Sequence, residues 1–371
     1  MKVLHVITTT DIGGAEMVLA SLLPPLQQRG IEAMVVSLRA TGSIGKSILD
    51  SGVPVVSVGL DRELPGLRQL VRLRRVVKEF QPDVCMGWMY HGALASLAIG
   101  NRRGTSVLWG IHQVDLDPSV TRLRTRVIGR VLASASRCPD RIIFCSDAAE
   151  RKHREFGFSG RHIVIRNGFD PSTYYPSQLD RVSVREEIGI PPGAIVIGNI
   201  NRFHPIKDHM TFFRAVAILQ RNGVGWHYLC AGAGMTDDNP ELLDLIRQTA
   251  AQPENIHLLG ARKDVPRLLR ALDALVSSSI SESFPMIVGE AMATEVTCVV
   301  TDVGDSATLV GDSGVVVEVG KPELLADALL MAVQEKRMTC GRKARSRIVN
   351  TFDVASTARQ YEETFRSALK H

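Results

Sequence analysis

Residues 194–231 read AIVIGNINRFHPIKDHMTFFRAVAILQRNGVGWHYLCA, and this stretch decides the fold. An apolar run at 194–200 is followed by a helical pattern at 208–220 and by a second apolar run at 226–231. Short apolar runs that alternate with helices are typical of parallel strands covered by helices on both faces. The stretch therefore predicts a strand–helix–strand unit with a polar loop after its first strand.

The same alternation continues on both sides of this unit. Further strands are predicted at 3–8, 33–38, 84–86, 106–111, 141–145, 162–165, 256–259, 274–277, 297–301 and 314–319. A turn-rich break near 168–180 separates the pattern into two sets. We predict an α/β protein with two Rossmann-like, doubly wound parallel-sheet domains, at 1–170 and 178–350, facing each other across a cleft.

Composition fits two ordinary globular domains. The 371 residues are 45% hydrophobic and 22% charged, and no apolar run of about 18 residues could span a membrane. The six cysteines are scattered without a CxxC pair, which favours free thiols in a reducing, cytoplasmic compartment. Residues 1–170 hold 23 Lys and Arg against 15 Asp and Glu, whereas residues 171–371 hold 21 against 24. This imbalance predicts different partners for the two halves.

Two cations follow the first strand of the second half. Arg202 and Lys207 lie in the loop where a doubly wound sheet binds its ligand, at the carboxyl end of a strand. The bidentate guanidinium of Arg202 and the ammonium group of Lys207 could neutralise a diphosphate there. A solvated loop with ordinary charged residues is also consistent with this sequence.

The stretch SISESFPMIVGEAMA at 279–293 is the most specific signal in the chain. Glu282 and Glu290 flank a strand-to-helix turn, and carboxylates are natural partners for sugar and ribose hydroxyls. Helix-start amides around 284–287 would suit a phosphate. Glu290 has apolar neighbours, which argues against an exposed helix position.

Two signals in the first half are weaker. Gly13 and Gly14, followed by Glu16, form a strand-to-helix turn that could approach an anion or could be a plain tight turn. Neither GxGxxG nor a Walker A lysine is present, which disfavours dinucleotide and ATP binding. His112 ends a predicted strand, and as a lone histidine it could be structural or catalytic.

Taken together, these residues resemble the retaining GT-B glycosyltransferases of family GT4. The resemblance covers nearly the whole chain. It rests on Arg202, Lys207, Glu282 and Glu290, on GGAE at 13–16, and on IRNGFD at 165–170, LGARKDV at 259–265 and DVGD at 302–305. In that fold the last helix crosses back onto the first domain, so we expect residues 353–371 to do so.

The resemblance implies a role for each residue. Arg202 and Lys207 would bind the donor diphosphate, Glu282 a donor-sugar hydroxyl and Glu290 the ribose, while His112 would lie near the reaction centre. The remaining donor-binding residues would be Gly14 and Arg262 with Phe284, Pro285, Met286 and Ile287; Glu16, Trp88 and Tyr90 are expected to bind the acceptor.

The resemblance also implies transfer of a hexose or N-acetylhexosamine from a UDP-sugar, with retention and without a metal or other cofactor. Asp115-Leu116-Asp117 matches a metal-binding DxD motif by letters only. The acceptor would be a lipid-linked glycan or a polysaccharide. The basic and apolar segments at 67–78 and 121–132 could rest on the cytoplasmic face of the inner membrane, or could be helices with a solvated Arg face. Nucleic acid is a less favoured partner, because the basic residues are not interspersed with aromatic residues that could stack on bases.

Other functions remain open on the sequence. A UDP-sugar 2-epimerase shares this architecture and would need no acceptor, and a non-catalytic subunit of a glycan assembly complex would keep only the binding residues. An NAD dehydrogenase is disfavoured by the missing GxGxxG.

Overall fold

The computed structural model describes residues 1–59, 67–100, 104–114, 123–334 and 337–369. The chain divides into two compact units, one formed by Met1–Gly168 with Val354–His371 and the other by Phe169–Asp353. Among the described residues, no helix has the length and apolarity needed to cross a bilayer.

The first unit is built on a seven-stranded sheet in the order β3-β2-β1-β4-β5-β6-β7, with every pair parallel. Its strands are β1 (Lys2–Ile7), β2 (Glu32–Ser37), β3 (Val55–Ser57), β4 (Val84–Trp88), β5 (Ser106–Ile111), β6 (Arg141–Phe144) and β7 (His162–Val164). Its helices are α1 (Gly14–Gln28), α2 (Ser43–Asp50), α3 (Leu67–Phe80), α4 (Met89–Gly100), α5 (Leu123–Ala135), α6 (Asp147–Phe156) and, from the end of the chain, α15 (Val354–Ala368). The strand order reverses between β1 and β4, which is where such a sheet binds ligands.

The last helix, α15, is anchored in this first unit by its apolar face. Tyr361 and Phe365 are fully buried there. Arg29, which directly follows α1, forms an ion pair with Glu362 at 2.5 Å, and the Ser106 hydroxyl donates to the carbonyl of Ala368. The C-terminal helix is therefore an integral part of the first unit.

The second unit is built on a six-stranded, all-parallel sheet in the order β10-β9-β8-β11-β12-β13. Its strands are β8 (Val196–Ile200), β9 (His227–Ala231), β10 (Ile256–Leu258), β11 (Ala274–Ser277), β12 (Thr297–Thr301) and β13 (Val315–Val317). Its helices are α7 (Gln178–Ile188), α8 (His209–Arg221), α9 (Pro240–Thr249), α10 (Val265–Arg270), α11 (Met286–Ala293), α12 (Ser306–Val310), α13 (Pro322–Gln334) and α14 (Arg337–Thr351). Here the order reverses between β8 and β11.

The α/β class and the two doubly wound parallel sheets are confirmed. The sequence-based prediction missed β3 and the helices α2, α4, α6, α7 and α12, whereas α5 lies in the segment 121–132 that was expected to be helical. A three-residue strand and a five-residue helix are too short to show a period, and α4 is so apolar that no polar face marks its helical repeat. The strand predicted at 84–86 continues to Trp88, because that indole is completely buried in the sheet.

Candidate active site

Two loops meet at the point where the strand order of the second unit reverses. Lys207 follows β8, Glu282 follows β11, and their side chains form an ion pair with 2.5 Å between the Lys207 Nζ and the Glu282 Oε1. The Ser279 hydroxyl donates to the same carboxylate oxygen at 2.7 Å. Both charged side chains are largely buried. A desolvated cation is thus held at the position where the sheet topology predicts a ligand.

Backbone contacts fix these two loops against each other. The Ser278 hydroxyl donates to the carbonyl of Lys207 at 2.9 Å, and the amide of Ile280 donates to the carbonyl of Ile206 at 2.9 Å. Gly304 packs directly against the loop that carries Glu282 and has a φ of +57°. A Cβ at position 304 would lie 2.0 Å from the carbonyl oxygen of Glu282. Only glycine allows that approach.

Arg202 is exposed at the end of β8 and forms no ion pair within the part of the chain that the structure describes. Its carbonyl accepts a hydrogen bond of 3.1 Å from the His209 ring, which stacks on Phe203. The backbone at Arg202 is therefore anchored while its guanidinium remains available to an anion.

The helix that carries Glu290 starts beside this pair. The helix α11 begins at Met286, and Pro285 in the N-cap position supplies no side-chain cap. The first amides of a helix have no partner inside it, so those of Met286 and Ile287 can bind an anion. The Phe284 ring does not face a ligand, since it is buried against Phe169 and Phe352 at centroid distances of 6.2 and 5.6 Å. Its role is to anchor the start of the helix.

Glu290 is a buried carboxyl group, with 8% of its surface exposed. Burial raises its pKa to about 7, and the nearby Tyr174 hydroxyl works in the opposite direction by favouring the carboxylate. The neighbouring Gly289 lets the helix pack directly on Phe169, because a Cβ at that position would overlap the ring at 2.0 Å. Glu290 therefore sits on a fixed helix and titrates near neutral pH.

This titration predicts a pH-dependent stability. The pKa of Glu290 is raised in the folded state from 4.5 to about 7, so its contribution is present below pH 4.5 and is lost as the pH rises through 7. Relative to Glu290→Gln, the unfolding free energy of the wild type should fall by about 3 kcal/mol between pH 4.5 and 8. Urea unfolding followed by circular dichroism measures this difference; parallel profiles for the two proteins would contradict it.

Arg262 is already paired with carboxylates. Its guanidinium donates twice to Asp264 and once to Glu187, all at 2.8 Å, and these bonds raise the pKa of Arg262. The charge of this side chain is thus neutralised within the second unit. Its predicted role in donor binding stays a prediction.

In the first unit, the turn after β1 leaves glycine backbone open to solvent. Gly14 is exposed at the start of α1, and a Cβ added there would meet no atom within 4 Å. The carboxylate of Glu16 folds back over Gly13, where a Cβ would lie 2.3 Å from its Oε2. Burial raises the pKa of Glu16. A side chain at position 13 would require the Glu16 carboxylate to move, whereas the space over Gly14 is free for a ligand.

His112, directly after β5, is held by stacking. Its ring lies on the Trp88 indole with centroids 4.9 Å apart, and Trp88 lies in turn on Tyr361 at 6.3 Å. Burial lowers the pKa of His112 to about 4, although nearby Asn167 favours the charged ring. Neither ring nitrogen meets hydrogen-bond geometry with a described residue. A neutral, oriented imidazole with unused nitrogens is thus available for catalysis.

Two acceptor-binding predictions are wrong. Trp88 is completely buried and donates from its Nε1 to His5 at 3.1 Å. Tyr90 is also buried, and its hydroxyl lies 2.7 Å from the Nε2 of His153. Buried side chains with internal partners cannot line an acceptor groove. Trp88 instead supports His112, a role for which the sequence offers no signal because it depends on the pairing of β4 with β5.

Sequence reasoning also missed Tyr174, whose hydroxyl favours the charged form of Glu290. The two residues are far apart in the chain, and no local pattern connects them.

No metal site is found: within the described ranges, no group of three or more His, Cys, Asp and Glu residues is arranged to hold an ion. Asp115-Leu116-Asp117 lies outside the described residues.

Two family models match this chain in succession. Residues 12–173 match the one described as Glycosyltransferase Family 4, and residues 192–335 match Glycosyl transferases group 1. EpsF of Bacillus subtilis (strain 168), a protein named as a glycosyltransferase, is 25% identical over 81% of this chain and 79% of its own length. The UDP-Gal:alpha-D-GlcNAc-diphosphoundecaprenol alpha-1,3-galactosyltransferase of Escherichia coli is 24% identical over 54% of this chain and 53% of its own.

Solved structures share the fold along the whole chain. Anabaena Alr3699/HepE, crystallised with UDP and glucose, has a TM-score of 0.85 at 24% identity and covers 99% of this chain and 100% of its own. Sucrose-phosphate synthase from Thermosynechococcus elongatus has a TM-score of 0.82 at 15% identity and covers 99% of both chains.

Proposed function

Because this chain belongs to glycosyltransferase family 4 and has the GT-B fold, we propose that it transfers a hexose or N-acetylhexosamine from a UDP-sugar to a lipid-linked glycan or polysaccharide, with retention and without a metal. The chain is a glycosyltransferase; the donor, the acceptor and the stereochemistry are the proposal. Its main support is the cationic edge of the second sheet, where Lys207 is buried against Glu282 and the same loop after β8 carries the exposed Arg202.

This edge has the chemistry that a departing diphosphate needs. Arg202 and Lys207 follow β8, and the first amides of α11 come in the loop region after β11, at the same edge of the sheet. Fixed donors that meet developing charge are a large source of catalysis. Glu282 has two roles in this arrangement: it holds Lys207 in place and offers a carboxylate oxygen to a sugar hydroxyl. The positive charge can neutralise the leaving group in the way that a metal would.

A UDP donor is supported by the relatives. The HepE protein has been crystallised with UDP-glucose, and the Escherichia coli enzyme is named for UDP-Gal and for an acceptor linked to diphosphoundecaprenol. In the proposed reaction, the sugar passes through an oxocarbenium-like state. The acceptor hydroxyl attacks from the side of the leaving group, and a phosphate oxygen takes its proton, so no protein nucleophile is required.

The direct test measures UDP release from a panel of UDP-sugars, with and without acceptor, in buffer containing EDTA. We expect release that depends on acceptor and is unchanged by the chelator. NMR of the donor alone, without acceptor, distinguishes a 2-epimerase, which would interconvert the sugar. Loss of activity in EDTA would contradict the metal-independent mechanism, and no turnover with any donor would contradict the proposed activity.

A lipid-linked acceptor requires the enzyme to reach a membrane, and two basic helices of the first unit are suited to this. The helix α5 has an exposed apolar residue at every fourth position: Leu123, Val127 and Val131. Of their surfaces, 72%, 56% and 49% are accessible. Exposed arginines flank this apolar stripe, and α3 adds Arg72, Arg74, Arg75 and Lys78 around the exposed Val71. Apolar residues with a cationic border are typical of helices on anionic lipid. We place the enzyme on the cytoplasmic face, where its six free thiols would stay reduced.

Vesicle flotation tests this contact. The wild type should bind vesicles that contain phosphatidylglycerol more strongly than neutral ones, and Val127→Glu should reduce that binding severalfold because it buries a charge in the interface. Val182→Glu is the matched control, since Val182 is similarly exposed on α7 of the second unit. Equal loss in both variants, or no binding of the wild type, would contradict the proposal.

A further inference from the structure

A buried serine contacts the ion pair of the candidate site. Ser279 lies just after β11 and is completely buried. Its hydroxyl donates to the Glu282 Oε1 at 2.7 Å, and the same oxygen accepts from the Lys207 Nζ at 2.5 Å. Nothing in the relatives' names or in the family match assigns a role to this serine.

The two carboxylate oxygens of Glu282 have different surroundings. Oε1 accepts both internal hydrogen bonds, whereas Oε2 has no hydrogen-bond partner within the part of the chain that the structure describes. Because a carboxylate oxygen has two lone pairs, Lys207 and Ser279 together occupy Oε1. The Glu282 side chain is 13% exposed, so a ligand can reach it. Oε2 is therefore the oxygen that remains for a sugar hydroxyl.

The Lys207 ammonium group alone does not fix the direction of Oε2. An ammonium is a compact charge with three rotatable donors, and the last torsion of a glutamate side chain turns through a broad range. The ion pair thus holds Oε1 in place but leaves the carboxylate plane free to turn about it. A second donor to the same oxygen, which Ser279 supplies from the loop after β11, restricts this rotation.

Ser279 is itself fixed by the neighbouring strand. The buried Thr301 ends β12, and its hydroxyl donates to the carbonyl of Ser279 at 2.6 Å. The same hydroxyl lies 3.2 Å from the carbonyl oxygen of Ser277, the last residue of β11. The backbone at Ser279 is therefore held against the sheet, and its hydroxyl donates to Glu282 from a defined position.

We propose that Ser279 is a positioning residue of the donor-sugar site: its hydroxyl fixes the plane of the Glu282 carboxylate, so that Oε2 accepts a hydrogen bond from one particular hydroxyl of the donor sugar. This inference rests on the proposed function, in which Glu282 binds the donor sugar. Hydrogen bonds weaken steeply when they are misaligned, so a fixed Oε2 discriminates between sugars by the position of that hydroxyl. Ser279 thus contributes to binding of the sugar and not to binding of the nucleotide.

Isothermal titration calorimetry on the full chain separates these two contributions. The probes are UDP, UDP-glucose, UDP-galactose and UDP-N-acetylglucosamine, followed by the deoxy analogues of the UDP-sugar that binds most tightly. For the wild type, one deoxy analogue should bind about tenfold more weakly than the complete UDP-sugar, which is the scale of a hydrogen bond to a charged group.

Ser279→Ala removes only the hydroxyl that holds the carboxylate. It should weaken binding of the complete UDP-sugar about tenfold. The Kd for UDP and the Kd for that deoxy analogue should each change by less than about twofold, because neither ligand uses the fixed Oε2. A general disturbance of the site would weaken all three ligands together.

Two further variants complete the experiment. Ser313→Ala is the matched control, since Ser313 is also a buried serine of the second unit and its hydroxyl donates to the carbonyl of Val310 at 2.6 Å. It should keep every wild-type Kd. Ser279→Thr retains a hydroxyl at position 279 and should keep the roughly tenfold preference for the complete sugar over the deoxy analogue, whatever its extra methyl group does to the melting temperature.

The outcomes separate this inference from the proposed function. Equal weakening of all three ligands in Ser279→Ala, or an unchanged Kd for the UDP-sugar, overturns the role of Ser279. If Ser279→Ala does not fold, Ser279→Thr decides, and loss of its sugar preference overturns the inference. If the wild type binds a UDP-sugar but transfers nothing, the proposed transfer falls and the Kd values still decide. If the wild type binds no UDP-sugar, the UDP donor and this inference fall together.

Discussion

Replacing Lys207 or Arg202 by alanine should lower the turnover number for sugar transfer by about 10² or more, which is the cost of one lost donor to a developing negative charge. For Lys207 the structure gives a second reason, because its removal leaves the largely buried Glu282 carboxylate without its cation. An unpaired buried carboxylate is unfavourable and no longer fixed in position. The effect should appear in kcat measured by UDP release at saturating donor.

Arg221→Ala is the matched control for this experiment. Arg221 is exposed at the far end of α8, and within the described part of the chain its Nε donates only to the carbonyl of Ala217, at 3.3 Å. It should retain the wild-type rate and the wild-type melting temperature. A nearly wild-type kcat for Arg202→Ala or Lys207→Ala would remove that residue from the phosphate site.

His112→Ala and His153→Ala should have opposite effects, although both residues are histidines of the first unit with a lowered pKa. His112→Ala should lower kcat by about 10², the scale expected for loss of a catalytic group, and leave stability within about 1 kcal/mol. Its ring nitrogens have no partner of hydrogen-bond geometry among the described residues, so no internal bond is lost.

His153→Ala should instead destabilise by about 2–4 kcal/mol and keep kcat. Its Nε2 lies 2.7 Å from the Tyr90 hydroxyl, and its Nδ1 lies 2.7 Å from the carbonyl of Ala149, so truncation removes two buried polar contacts and leaves a cavity in their place. Thermal unfolding and kcat at 25 °C distinguish the two. If His112→Ala unfolds the protein as readily as His153→Ala does, His112 is a structural residue.

The sequence by itself determined the elements with strong local signals. Apolar runs fixed the longer strands, and the stretch at 279–293 identified the strand-to-helix turn that carries Glu282 and Glu290. Such features depend on neighbours along the chain, which is why periodicity and turn residues reveal them. The placement of Arg202 and Lys207 after β8 followed from the same local pattern.

Only the tertiary structure decided which of these residues touch. The Lys207–Glu282 ion pair and the stack of His112 on Trp88 each join segments that are distant in sequence. The sequence also did not determine which aromatic side chains are buried. Aromatic residues at 88 and 90 fit a ligand groove as well as a core, and only the pairing of β4 with β5 buries Trp88 in the core. Sequence patterns indicate the structural preferences of one segment. The pKa of Glu290 and the orientation of His112 depend instead on burial and on contacts with residues from other segments.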